Sequence, residues 1–170
     1  MQFIITTITK VNTDVFYPAQ ALAQKLNKKF VTRNNLSLER LKQDNNVDNI
    51  LIFTKDGLKA HTSQGDLFFH LNMAQLRILN LNRNQKDHMV EAMDLKPKMS
   101  VLDCTLGLGT DATVASYIVG ENGKVVGLES ATLIYLITKY GLANFNHDNI
   151  AINHSLRRIE SFNLHYLDYL

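Results

Sequence analysis

The sequence predicts an α/β chain in two parts: a small α+β domain over residues 1–82, then a parallel β–α–β domain over residues 83–170. Three observations carry this. Residues 2–9 and 49–53 are apolar, β-branched runs interrupted by Asp-Gly and Gly turns, the mark of strands and hairpins. From Gln85 onward, helical and strand patterns alternate, which indicates parallel βαβ units. Between them, Asn80-Leu81-Asn82-Arg83-Asn84 is polar and breaks the periodicity, so the boundary is placed there.

The elements read in order as follows. Residues 2–9, rich in Phe, Ile and Thr, suit a strand. Ala19, Leu22, Ala23 and Leu26 recur at helical spacing and predict a helix over 18–27. Residues 29–33 read as a short strand. Ser37 is a candidate cap for a helix over 38–43. Residues 49–53 form a third strand. Asp56-Gly57 supplies the turn into strands at 58–61 and 66–70, with Ser63-Gln64-Gly65 between them. A helix follows over 72–79.

The whole chain gives few constraints. At 170 residues, 45% apolar and 20% charged, it can bury a core. The net charge of +2 neither requires nor excludes a nucleic-acid partner. One cysteine, Cys104, rules out an internal disulfide and suits a reducing compartment. No apolar run approaches the roughly 20 residues of a membrane span. The N-terminus lacks the layout of a signal peptide. Together these give a cytoplasmic reading with no membrane partner. The six histidines show no metal-ligand spacing, so no metal site is expected.

The informative segment is residues 100–112. An apolar strand runs into Asp103, then Thr105, Gly107 and Gly109, then a helix over 110–119 that opens with Asp111. The glycines permit a tight turn and close approach of a ligand to the main chain. The helix N-terminus offers unpaired amides to an anion. A second strand over 124–128 ends in Glu129, an acid about 20 residues past the glycine turn, the offset at which a carboxylate grips ribose hydroxyls. A nicotinamide dinucleotide and S-adenosyl-L-methionine both contain a ribose. The acid at Asp103 and the place of Gly107 and Gly109 in an E/D-x-G-x-G-x-G pattern, with Thr105 at the first glycine's place, favour S-adenosylmethionine.

Asp103–Ala112 resembles the D-A-T-x-G-L-G-x-D-A motif of the ribosomal-RNA guanine-N(2) methyltransferases that act on the small subunit, and of their Gram-positive relatives. Phe69-His70-Leu71-Asn72-Met73-Ala74 is similar to that family's F-H-P-S-M-A, departing at Leu71 and Asn72. Asp87–Ala92 is similar to the helix preceding the glycine motif, and Arg157–Glu160 to the approach to the third strand. The resemblance implies a Rossmann-like class I methyltransferase domain, S-adenosylmethionine as donor, and an RNA base, a guanine amine of rRNA, as acceptor. It also implies that Asp103, Thr105, Gly107, Gly109, Asp111, Glu129 and His165 bind the cofactor, His165 beside the adenine.

The D/N-P-P-F/Y motif expected after a fourth strand is absent. The two prolines, Pro18 and Pro97, lie elsewhere. The catalytic residues are therefore unknown, and the reading is of a truncated chain holding only the first half of the domain. On that reading the central strand has an open edge, and the isolated chain is expected to self-associate. The alternative is a non-catalytic methyltransferase-fold or RNA-binding accessory module.

Each residue also has a quieter reading. Asp103 caps backbone amides, Asp111 suits a helix N-terminus, and Cys104 is a small buried hydrophobe. Arg77, Arg83, Arg157 and Arg158 form either a phosphate-contacting face or an ordinary solvated surface.

Overall fold

The computed structural model describes residues 2–10 and 12–169; Met1, Val11 and Leu170, which the two domain ranges include, lie outside the described residues. The chain divides into two compact units between Phe69 and His70.

The first unit is a four-stranded mixed sheet in the order β1-β2-β3-β4. Its strands are β1 (Phe3–Thr7), β2 (Asn49–Thr54), β3 (Gly57–Thr62) and β4 (Gly65–Phe68). β1 runs parallel to β2, with Ile4 opposite Ile50 and Thr6 opposite Ile52. β2 and β3 form an antiparallel hairpin closed at Thr54–Gly57. β1 is buried on both faces, so its run is continuously apolar or Thr. β3 alternates instead, burying Leu58 and Ala60.

Two helices accompany this sheet: α1 (Thr13–Lys25) and α2 (Leu38–Asn45). Ser37 caps α2 as its sequence suggests, accepting from the Arg40 amide at 3.1 Å. α1 begins five positions before Pro18, which therefore sits inside the helix and not at its start. Pro18 deprives the Asp14 carbonyl of its helical donor. Residues 29–33 form no full strand; a single parallel bridge joins Ile5 and Phe30. The Val31 amide still donates to Ile5 and the Thr6 hydroxyl to the Val31 carbonyl, so the segment is held to β1 without a ladder.

The second unit contains a parallel three-stranded sheet in the order β5-β6-β7: β5 (Ser100–Asp103), β6 (Lys124–Leu128) and β7 (Ile159–Phe162). Register pairs Val101 with Val125 and Val126 with Glu160. Its helices are α3 (Asn72–Asn82), α4 (His88–Ala92), α5 (Thr110–Val119), α6 (Thr132–Asn144) and α7 (Ile150–Arg157). α3 packs on α5, and the Tyr117 hydroxyl donates to Asn82 at 2.9 Å. That packing puts α3 in the second unit, whereas the sequence boundary at 82/83 leaves it in the first.

Among the described residues β5 pairs on one side only, with β6, and Leu102 on it is 36% exposed. Among the described residues, no helix is long and apolar enough to cross a membrane.

Candidate functional site

The site lies at the carboxyl ends of β5 and β6, where parallel α/β sheets place their ligands. β5 delivers Asp103. The chain then turns through residues 104–109 and enters α5. Gly107 and Gly109 adopt φ of 53° and 77°, left-handed values that favour glycine. A Cβ at Gly107 would meet only the Thr105 carbonyl, at 3.8 Å, so the outer face of this glycine is open. Gly109 faces inward, and a Cβ there would lie 3.4 Å from the Thr138 methyl.

Leu106 anchors the loop. Its side chain is buried over β6, and its amide donates to the Leu128 carbonyl at 2.8 Å. Gly127 makes room for it: a Cβ at that position would stand 2.5 Å from Leu106 Cδ1 and 3.0 Å from its Cγ.

β6 delivers Glu129. Its carboxylate accepts from the Gly107 amide at 3.0 Å and from the Ala131 amide at 2.7 Å. Asn163, just past β7, steadies this corner, donating to the Glu129 carbonyl at 2.7 Å and accepting from the Thr132 hydroxyl. Asp103 accepts from the Thr105 amide at 3.0 Å. Burial pushes its carboxyl above the usual range, and the charges of Asp111 and Glu129 push the same way.

A cleft of about 100 Å³ opens beside Glu129, lined by Cys104, Thr105, Leu128, Ser130, Leu164, His165 and Tyr166. His165 follows β7, accepts from the Leu167 amide, and stacks on Tyr166 with ring centres 4.5 Å apart. The structure thus gathers Thr105, Glu129 and His165 around one cleft, with Asp103 bonded to the Thr105 amide and Gly107 to the Glu129 carboxylate, while Gly109 faces inward.

Asp111 is placed differently. Its carboxylate, at the first turn of α5, pairs with Arg77 on α3. Arg77 also grips Asp87 through two nitrogens, at 2.7 and 3.0 Å. Asp87 in turn caps α4 through the Met89 and Val90 amides. The Arg77 guanidinium and those amides hold the Asp87 carboxyl at about 2. Arg157 donates to the Leu142 and Phe145 carbonyls, and Arg158 to the Ser116 carbonyl. These three arginines therefore serve the unit's own structure, while Arg83 is exposed. Among the described residues no cluster of His, Cys, Asp and Glu could hold a metal.

Sequence reasoning missed Thr138, Leu106 and Asn163. Each acts across at least twenty residues, and none carries a local signature.

Residues 83–156 match the family model of protein-L-isoaspartate(D-aspartate) O-methyltransferases. An uncharacterized Bacillus subtilis protein, YpiP, is 34% identical over 158 residues, covering 92% of this chain and 61% of that protein. The protein-L-isoaspartate O-methyltransferase of Methanothermobacter thermautotrophicus is 34% identical over 71 residues, 39% of this chain and 33% of that enzyme. The crystal structure of an S-adenosylmethionine-dependent methyltransferase from Neisseria gonorrhoeae superposes with a TM-score of 0.61 at 14% identity, covering 96% of this chain and 61% of that one. The chain thus spans about 61% of the length of these two longer relatives. Its fold is α/β and Rossmann-like, that of the class I methyltransferases.

Proposed function

We propose that the chain carries the S-adenosylmethionine-binding part of a methyltransferase. The observation that carries this is the pairing of an open-faced Gly107 with Glu129 at the end of the next parallel strand. The residues fit the cofactor. Glu129 has acceptor lone pairs left after its two amide bonds, enough for ribose hydroxyls. Asp103 is a carboxylate whose ionised form gains from a nearby cation such as the methionine ammonium. Thr105 and the main chain of Gly107 and Gly109 shape the methionine end. His165 and Tyr166 supply a flat surface for adenine.

The cofactor supplies an electrophilic methyl group on a sulfonium. Methyl transfer needs mainly alignment and exclusion of water, and the residues present bind and orient the donor.

For the acceptor, the reading is a guanine amine of ribosomal RNA, supported by the Asp103–Ala112 motif. A protein carboxyl group is the second reading, supported by the family match over residues 83–156. That matched segment lies within the donor-binding region, so it bears on the cofactor more than on the acceptor. The experiment is methyl transfer from tritiated S-adenosylmethionine by the whole protein, offered small-subunit rRNA or an isoaspartyl peptide. Label in RNA guanine supports the first reading and label in the peptide replaces it. Failure to retain labelled donor in equilibrium dialysis refutes the cofactor assignment itself.

A further inference from the structure

We propose that Thr138 is a positioning residue for the methyl donor, holding the glycine loop from behind; this rests on the cofactor reading above. Thr138 lies in the middle of α6 and is fully buried. The helix otherwise buries Leu133, Leu136, Ile137, Gly141 and Leu142 at its core. A hydroxyl inside a helix can bond the carbonyl four residues back. Thr113 in α5 and Ser155 in α7 do so, donating to Gly109 at 2.6 Å and to Ala151 at 2.8 Å, whereas Ser116 in α5 reaches across to the Ser155 carbonyl of α7. Thr138 likewise donates out of its helix, to the Gly107 carbonyl, at 2.6 Å and 31 residues away.

This bond completes a clamp. The Gly107 amide is held by Glu129 from β6, and the Gly107 carbonyl by Thr138 from α6. The peptide groups on both sides of a left-handed glycine are therefore fixed, and with them its φ and ψ. The Thr138 methyl, meanwhile, packs where a Cβ of Gly109 would be 3.4 Å away. One side chain thus sets both glycines from the inner side and leaves the outer face of Gly107 open. A valine would fill the same volume and lose only the hydroxyl. A serine would keep the hydroxyl and lose the methyl.

The loop lies at the methionine end of the cofactor, and Glu129 at the ribose. Thr138 should therefore govern affinity for ligands that carry the amino-acid portion more than for the nucleoside alone. The test is calorimetry on the full chain with S-adenosylhomocysteine and with 5′-methylthioadenosine, which has the adenosine but no amino acid. Thr138→Val is expected to weaken S-adenosylhomocysteine about tenfold, equivalent to about 1.4 kcal/mol, and methylthioadenosine less than about threefold. Thr138→Ser should bind both within about threefold of wild type.

Wild-type affinity for S-adenosylhomocysteine in Thr138→Val overturns the proposal. So does an equal loss for both ligands accompanied by a lowered melting temperature, which marks a role in stability alone. Absence of binding by the wild-type chain overturns the cofactor reading, and this inference with it.

Discussion

Gly127→Ala tests how the glycine loop is supported. The added methyl would stand 2.5 Å from Leu106 Cδ1 and 3.0 Å from Cδ2 and Cγ, so the whole isobutyl group must move, not just its tip. Leu106 is 3% exposed, so it cannot move without disturbing its neighbours. Overpacking of this kind costs about 1–3 kcal/mol. In a unit of this size that lowers the melting temperature by roughly 5–20 °C.

The displacement is also transmitted to Gly107, the next residue, so affinity for S-adenosylhomocysteine should fall about tenfold, or about 1.4 kcal/mol. Leu106→Ala alone should cost about 2–5 kcal/mol through the cavity it leaves. That cavity is where the methyl added at position 127 would go. The double variant is therefore expected to be more stable than the sum of the two losses predicts, with a coupling of about 0.5–3 kcal/mol. Urea unfolding of the four proteins, followed by circular dichroism, measures the cycle. Wild-type stability in Gly127→Ala, or additive losses in the double variant, refutes the wedge.

The remaining predictions concern charge and the open strand edge. Asp87 has a depressed carboxyl, so its stabilisation is present above the unfolded value near 3.8 and is lost as pH falls through about 2. Asp87→Asn should cost about 2 kcal/mol at neutral pH, and the gap to wild type should close between about pH 4 and 2 in denaturant titrations. Asp103 is the opposite case. Burial raises its carboxyl, so the folded state loses stability as pH rises through the raised value. Asp103→Asn keeps the acceptor for Thr105 and should melt higher than wild type at neutral pH, while binding S-adenosylhomocysteine less well. The edge of β5 that has no strand partner among the described residues, with Leu102 exposed on it, should make the chain self-associate at micromolar concentration. Sedimentation of a well-behaved monomer would contradict this.

Local chemistry was legible in the sequence where it decides the structure. α5 and β6 fall on residues 110–119 and 124–128 as read, because glycines bound the helix and a β-branched run follows. Ser37 announces α2 because a cap acts within its own turn. The start of α1 was not legible: Pro18 reads as a first-turn residue, yet packing of Val15 extends the helix toward Thr13. Residues 29–33 carry a strand's composition, but they meet β1 at a single bridge.

At the site, the glycine loop and Glu129 were readable from spacing. The partners that hold them were not. Thr138 meets Gly107 across 31 residues and Arg77 meets Asp111 across 34, so only the folded chain brings them together. The Arg77 pairing also changes the meaning of Asp111, which by sequence alone stands as a ligand contact or a dipole partner.

Gly107 and Glu129 are the residues through which this fold is expected to bind S-adenosylmethionine. Isothermal titration of S-adenosylhomocysteine into the wild-type chain and into Glu129→Gln measures this. The expected result is saturable one-to-one binding by wild type, weakened at least about tenfold in the variant, with no comparable heat from NADH. Absence of binding at millimolar S-adenosylhomocysteine, or equal affinity in Glu129→Gln, would contradict it.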